Sequence, residues 1–206
     1  GGFTDGYLQF RNFTQVGPTS QSITLTSNAL FNNYDSDWGG DVMFSSPRIF
    51  TRGTRYRGTA DLFKTGTTSD GSAGGNVFDG VTSINNSSTN GYFLMASTVA
   101  DTFQTRLRVN NTGSHYIYMA YNSPNNYFGG SVTCNNSGSG TNNYILFCDA
   151  ANSTADYADS VIANNTSTAT NGMIRMYSGG SATFGGPLVV SSTATGNGVR
   201  FGSGAG

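Results

Sequence analysis

The sequence predicts an all-β protein of elongated repeat architecture. Three observations support this. A polar cluster that runs into a short alternating strand recurs five times. Gly, Ser, Thr and Asn make up about half of the chain. Glu is absent and Lys64 is the single lysine, while the β-branched, aromatic, Gly and Asn residues that disfavour helix dominate.

The repeat motif sets the period of the chain. Its strands are predicted to begin at Tyr92, Tyr116, Tyr144, Met173 and Val199, which lie 24, 28, 29 and 26 residues apart. A period of this size is typical of an array of one supersecondary unit, in which each copy buries its apolar face against neighbouring copies or other chains.

The apolar content suggests how the array is completed. Leu, Ile, Val and Phe are about 19% of the residues, close to the level at which a chain struggles to bury enough apolar surface alone. Disorder is disfavoured by 11 Tyr, 14 Phe and a net charge of −1. We therefore expect an ordered β protein whose core is supplied by identical chains.

The repeat also suggests two parts. Residues 1–56 show no evident repeat and are predicted to form an irregular N-terminal β module, or a less regular beginning of the same array. Residues 57–206 are predicted to form a repeat array of two-strand units of about 24–29 residues. In several second strands Phe is followed by Gly and then by β-branched residues, at Phe78, Phe128 and Phe184, and the Gly predicts a bend.

Residues 181–196 have the sequence Ser-Ala-Thr-Phe-Gly-Gly-Pro-Leu-Val-Val-Ser-Ser-Thr-Ala-Thr-Gly. This segment resembles the shaft and receptor-binding regions of bacteriophage tail fibres and tailspikes, and residues 57–206 match these fibres in composition. The resemblance implies an extracellular virion protein of the tail fibre. It further implies an intertwined parallel homotrimer, a β-prism or triple β-helix, that contacts a bacterial cell-surface glycan during host attachment. Because the chain opens without an initiator Met, we expect a fragment or a processed product.

Several function classes are disfavoured by charge and motif content. Ten cations balance eleven acids, so no nucleic-acid partner is expected, and no apolar run suggests membrane insertion. No cofactor and no enzyme activity are expected, because glycosidases need a pair of carboxylates and the only close sets are Asp35, Asp37 and Asp41, and Asp156 and Asp159. A depolymerase tailspike fragment and a bacterial surface adhesin with a single-chain β-solenoid are the alternatives.

The most concentrated polar cluster, residues 32–41, is the first candidate site. It holds the single Trp, Trp38, with Tyr34, Asp35, Asp37 and Asp41. An aromatic ring can stack on the apolar side of a sugar while Asp and Asn bind its hydroxyls. The alternatives are a calcium site on the three Asp, which lacks the spacing of an EF-hand, and a turn-rich loop with a half-buried Trp.

A run of arginines follows this cluster. It comprises Arg48, Arg52, Arg55 and Arg57, with Tyr56 among them. Guanidinium groups could hold acidic sugars or lipopolysaccharide phosphate, or the charges could mark a solvated strand edge. The predicted carbohydrate-binding residues are Tyr34, Asp35, Asp37, Trp38, Arg55 and Tyr56, with no catalytic residue and no metal site.

Three further features receive structural interpretations. His115 lies among alternating tyrosines, one set of which could face solvent as a glycan platform, although cross-strand packing is the more frequent role. Cys134 and Cys148 are predicted to be free, mostly buried thiols. Asn-x-Ser/Thr triplets are interpreted as chance in so Asn-rich a chain; they occur at Asn12, Asn85, Asn110, Asn135, Asn152 and Asn164.

Overall fold

The chain forms a parallel β-solenoid, seen in a computed structural model that describes residues 6–202. These residues contain 25 strands in about eight coils, and each strand pairs in parallel with its equivalents in the adjacent coils, except at one break on the first face, between the third and fourth coils. Each complete coil has three strands, which lie on three faces of the solenoid. None of the described residues forms a helix, so none of them supplies a helix long and apolar enough to cross a membrane.

The strands are numbered along the chain and grouped by face. Face 1 carries β1 (Tyr7–Arg11), β4 (Leu30–Tyr34), β7 (Arg48–Arg52), β10 (Asp70–Gly71), β13 (Phe93–Leu94), β16 (Tyr116–Met119), β19 (Asn142–Phe147), β22 (Asn171–Arg175) and β25 (Val199–Arg200). Face 2 carries β2 (Thr14–Gln15), β5 (Asp37–Trp38), β8 (Arg55–Tyr56), β11 (Val77–Phe78), β14 (Thr102–Phe103), β17 (Asn126–Phe128), β20 (Thr154–Tyr157) and β23 (Ser181–Phe184). Face 3 carries β3 (Gln21–Thr24), β6 (Val42–Ser46), β9 (Ala60–Lys64), β12 (Thr82–Asn86), β15 (Leu107–Asn111), β18 (Val132–Asn136), β21 (Val161–Asn165) and β24 (Leu188–Ser192).

The all-β class and the repeat are confirmed, but the unit differs from the predicted one. Tyr116 pairs with Tyr144 and Tyr144 with Met173, as the motif spacing requires, whereas Val199 pairs with Ile174, one residue further on. The two-strand unit is wrong, because the predicted second strand turns a corner and forms one strand on face 2 and another on face 3. The predicted bend after Phe78, Phe128 and Phe184 is this corner.

One chain closes its own core, as in the single-chain alternative and unlike an intertwined trimer. Faces 2 and 3 are each eight-stranded sheets that run from the first coil to the eighth. The proposed division at residue 56 falls inside the third coil, between β8 and β9, and both sheets continue across it. Residues 1–5 and 203–206, which belong to the two predicted parts, lie outside the described residues.

An aromatic ladder fills the inner side of face 2. Each face-2 strand from β5 onward points one ring inward, and the ladder consists of Trp38, Tyr56, Phe78, Phe103, Phe128, Tyr157 and Phe184. From Tyr56 to Phe184 consecutive rings are stacked nearly parallel, with centroids 4.6–5.3 Å apart. This spacing matches the distance of about 4.8 Å between paired strands, so sheet pairing and ring stacking support each other.

Two asparagine ladders run along face 3. The inner ladder, Asn86, Asn111, Asn136 and Asn165, is buried, and its side-chain amides donate to backbone carbonyls at the start of face 1. In the outer ladder, Asn85, Asn110, Asn135 and Asn164, each amide donates to the preceding one over 2.8–3.0 Å. The interpretation of these four triplets as chance is therefore wrong, because they occupy equivalent positions in four coils.

The corners depend on particular backbone conformations. The turn from face 1 to face 2 uses a left-handed residue in six coils: Asn12, Asp35, Gly53, Ala96, Ala120 and Cys148, with φ between 49° and 60°. The turn from face 2 to face 3 often uses Gly, since a Cβ at Gly80 would overlap the carbonyl oxygen of Gly58 in the coil below. These residues allow the coils to stack without offset.

We predict that the aromatic ladder dominates stability. Phe128→Ala should lower the free energy of unfolding by about 3–5 kcal/mol, because it removes a ring that stacks on both neighbours. Tyr127→Ala is the matched control on the same strand; its side chain points outward and the change should cost less than about 1 kcal/mol. Denaturant unfolding of both variants measures this, and equal losses would contradict the role given to the ladder.

Candidate functional site

The structure places two of the predicted sugar-binding residues in the core. Trp38 is 2% exposed, and its ring centroid lies 4.8–5.1 Å from those of Phe10, Phe13 and Phe44. Tyr56 is 1% exposed, and its hydroxyl accepts a hydrogen bond from Asn33 at 2.9 Å. Burial raises the pKa of Tyr56 well above its ordinary value. The expectation that these rings stack on a sugar is wrong, because neither presents a face to solvent.

The aspartates of the same cluster point to separate partners. Asp35 lies 3.4 Å from Arg52, Asp37 accepts two hydrogen bonds from Arg57, and Asp41 accepts one from the backbone N–H of Thr59. The Arg57 guanidinium lowers the pKa of Asp37. Because the three carboxylates diverge, they form no common calcium site, and residues 6–202 contain no other group of three side chains suited to a metal ion.

Most of the arginine run clamps coils together. Arg55 donates to both carboxylate oxygens of Asp79 at 2.7 and 3.3 Å, and Arg57 makes its two bonds to Asp37 at 2.8 and 2.7 Å. Arg48 lies 3.6 Å from the buried Asp70. Each of these pairs joins residues of adjacent coils. These three arginines therefore already have carboxylate partners, which a bound anion would have to displace.

The outer side of face 1 carries a half-exposed aromatic patch. We call it the tyrosine surface, and it consists of Tyr92, Tyr116, Tyr118, Tyr121 and Tyr144. Alternation along the strands explains its position, since Ile117 and Ile145 point into the core while their neighbours point outward. For the tyrosines around His115 the sequence offered a solvent-facing platform as the alternative to cross-strand packing. The structure places Tyr116, Tyr118 and Tyr121 together with Tyr92 and Tyr144 of the adjacent coils, whereas Tyr127 lies on face 2.

The rings of the tyrosine surface touch one another. Tyr116 and Tyr144 are stacked with centroids 4.8 Å apart and planes 12° apart. Tyr118 packs edge-on against Tyr92 and Tyr121, at 5.7 and 5.1 Å. Desolvation raises the pKa of Tyr116, Tyr118 and Tyr144. The phenols therefore stay neutral at physiological pH, where each hydroxyl can both donate and accept a hydrogen bond.

A polar groove borders the tyrosine surface at the corner between faces 3 and 1. Its volume is about 480 Å³, and it is lined by Thr89, Asn90, Ser114, His115, Gly140, Thr141 and Asn142. The His115 ring lies 4.3 Å from that of Tyr116, and burial lowers the pKa of His115, which favours the neutral imidazole. Hydroxyl, amide and imidazole groups beside exposed rings are suited to binding a polyhydroxylated ligand.

A buried ion pair fills the break in face 1 between β7 and β10. Lys64 is fully buried and donates to the carbonyl oxygens of Pro47, Gly66 and Thr68, while Asp70 lies 3.3 Å from its ammonium group. The same oxygen of Asp70, Oδ2, also accepts the N–H of Ile49 at 2.9 Å, in place of a backbone carbonyl. Burial raises the pKa of Asp70 to about 6, against the opposing effect of Lys64. The pair has a structural role.

Asp101 is a buried carboxyl group at the corner between faces 1 and 2. Its Oδ1 accepts bonds from the backbone N–H and the side-chain amide of Asn76, both at 2.9 Å, while Oδ2 has no partner among the described residues. Burial raises the pKa of Asp101 to about 7. In the next coil the residue equivalent to Asp101 is Asn126. Asp101 therefore places a carboxyl group where the neighbouring coil has a side-chain amide.

Comparisons with known proteins give no match: no protein-family model, no curated protein and no solved structure matches this chain. The functional argument therefore depends on the residues of the chain itself.

We predict that Asp101 makes stability fall as pH rises. Its folded-state pKa of about 7 lies above the unfolded value of about 3.9, so the folded state binds the proton more tightly and loses stability between about pH 4 and 7. Asp101→Asn should reduce this slope and stabilise the protein above pH 7 by about 1–3 kcal/mol. Denaturant unfolding across this pH range measures both effects.

Asp61→Asn is the matched control, because Asp61 is only partly buried on the outer side of face 3. Asp70 titrates in both the parent and the Asp101→Asn variant, so the difference between them isolates Asp101. An unchanged pH slope in the Asp101→Asn variant would refute the assignment.

Proposed function

We propose that this chain is the noncatalytic binding segment of an extracellular adhesin, which holds bacterial surface polysaccharide on the tyrosine surface. The observation that carries the proposal is the contiguous patch of five half-exposed tyrosines on one face of a rigid solenoid. Aromatic faces bind the apolar sides of sugar rings, and their hydroxyl groups bind sugar hydroxyls.

The direction of the patch favours an extended ligand. Equivalent residues on successive coils lie about 4.8 Å apart along the solenoid axis, so Tyr92, Tyr116 and Tyr144 form a row along that axis. A polysaccharide chain aligned with the row would touch several rings at once. Each contact would be weak, and repetition along the glycan would supply avidity.

The surroundings of the aspartates support a noncatalytic role. Asp35 and Asp37 face arginines, Asp156 accepts a hydrogen bond from Thr183, and Asp159 accepts one from the backbone N–H of Ser160. Glycoside hydrolysis needs two carboxyl groups that flank a bound sugar. The close aspartates are instead occupied by neighbouring protein groups.

The resemblance to tail fibres supports a place for this adhesin in a bacteriophage virion. The resemblance to tail fibres implies a homotrimer. Because each chain closes its own core, we propose that the trimer consists of three complete solenoids side by side. Three tyrosine surfaces on one fibre would multiply weak glycan contacts. The closed single-chain core also favours a second setting, a filament or adhesin on a bacterial surface.

We predict that Tyr116→Ala and Tyr118→Ala each weaken glycan binding by about 3- to 10-fold, the loss expected for one aromatic contact. Binding of the purified protein to an array of bacterial polysaccharides measures the effect. Tyr127→Ala, an outward tyrosine on face 2, is the control and should bind like the parent. If the array shows binding that neither face-1 substitution reduces, the tyrosine surface is not the site.

We predict a trimer in solution under the tail-fibre assignment. Light scattering coupled to size-exclusion chromatography should give about three times the chain mass of 21.6 kDa. A mass of one chain would contradict the trimer and support the single-chain surface filament, in which avidity comes from one solenoid alone.

A further inference from the structure

The outer side of face 1 carries a second cluster in the first three coils. We call it the arginine cleft; its volume is about 310 Å³ and it is lined by Gln9, Arg11, Tyr34, Phe50 and Arg52. Of the residues predicted to bind sugar, it contains only Tyr34.

Strand pairing explains how the cleft is assembled. Arg11 on β1, Tyr34 on β4 and Arg52 on β7 are paired residues that point outward in a column. Gln9, Asn32 and Phe50 form the parallel column two residues earlier. Since Asn33 and Thr51 between these columns are fully buried, the backbone beneath the cleft is held rigidly.

The aromatic floor of the cleft lies between two cations. The Tyr34 and Phe50 rings have centroids 5.4 Å apart, and the guanidinium carbon of Arg52 lies 5.2 Å from the Tyr34 centroid. The phenol of Tyr34 donates weakly to Asn32 at 3.4 Å. Ring faces and an amide are suited to a sugar ring and its hydroxyls.

The guanidinium groups here are less engaged than elsewhere in the chain. Arg55 and Arg57 each make two bonds to a carboxylate, whereas Arg52 makes one contact of 3.4 Å with Asp35, the nearest acid. Arg11 is exposed and forms no ion pair within residues 6–202. The cleft therefore offers donors that the protein does not fully use.

We propose that the arginine cleft binds a sugar residue that carries an anionic group, a carboxylate or a phosphate. The ring lies on Tyr34 and Phe50, and the anion accepts charge-assisted hydrogen bonds from Arg11 and Arg52. This site is independent of the tyrosine surface: Tyr34 is in the second coil and Tyr116 in the sixth, so about 19 Å of solenoid separates them. The two sites would select different units of a glycan.

The test is isothermal titration calorimetry of the whole chain with three probes. Trigalacturonic acid supplies the carboxylate, glucose 6-phosphate supplies the phosphate, and the methyl ester of trigalacturonic acid is the neutral match of the first. We expect binding of at least one anionic probe, weaker binding of the ester, and weakening by added salt. Arg11→Gln and Arg52→Gln should each reduce the affinity about tenfold, the loss expected for one charge-assisted bond.

Two control variants make the result specific. Arg106→Gln removes an exposed arginine at the corner between faces 2 and 3, and Tyr116→Ala removes a ring of the tyrosine surface; both should bind the anionic probes like the parent. Thermal unfolding checks that the Arg11 and Arg52 variants are folded. The proposal is overturned if neither anionic probe binds, if the ester binds as tightly as the acid, or if both arginine variants keep full affinity.

Discussion

The structure depends on one constraint, the stacking of each coil directly on the one before with residues in register. Every inward side chain then meets its own equivalent about 4.8 Å above and below. Side chains that interact well with copies of themselves are favoured at such positions, and the rings from Tyr56 to Phe184 have this property. On the outer side of face 3 the same holds for the amides from Asn85 to Asn164. Face 2 shows the effect best, because each of its strands from β5 onward contributes one inward ring.

The same constraint explains how a chain with few aliphatic residues closes a core alone. The inner asparagines are buried, but their amides donate to carbonyl groups that the corner between faces 3 and 1 leaves free. Hydrogen-bonding the N–H groups of a buried amide lowers the cost of burying it, although the side-chain oxygens of Asn111 and Asn136 have no partner among the described residues. Lys64 occupies the same ladder position in the third coil, and its ammonium group bonds to three carbonyls at that corner. Apolar content alone therefore underestimates what a repeated structure can bury.

Two features of the fold were predictable from sequence, namely the all-β class and the period, because alternation and spacing are local signals. The outward tyrosines were only the alternative to cross-strand packing. The third strand was missed because the corner between faces 2 and 3, which divides the predicted second strand, has only three residues. In addition, the middle residue of this corner is Gly in most coils but Thr105 and Asp159 in two of them. The Gly residues therefore do not recur regularly enough to reveal the corner.

The candidate site was harder to predict, since it depends on which side of a strand faces the core. Trp38 lies in a very polar stretch, and composition there suggested exposure, yet the strand has only two residues and Asp37 takes the outward position. Arg11 and Arg52 are 41 residues apart in sequence, and only the pairing of β1, β4 and β7 brings them to one cleft. No local pattern reports such a juxtaposition.

The corners differ in how much their length varies. From the second coil onward the turn from face 2 to face 3 always has three residues, whereas the segments on the two sides of face 1 range from one to six and from two to seven. Face 1 is thus bordered by loops that change length while the strands stay in place. In this respect it is comparable to the antigen-binding end of an antibody domain, where a fixed framework carries exchangeable loops. Short peptides inserted at these borders would alter the surface that face 1 presents while the framework beneath it is retained.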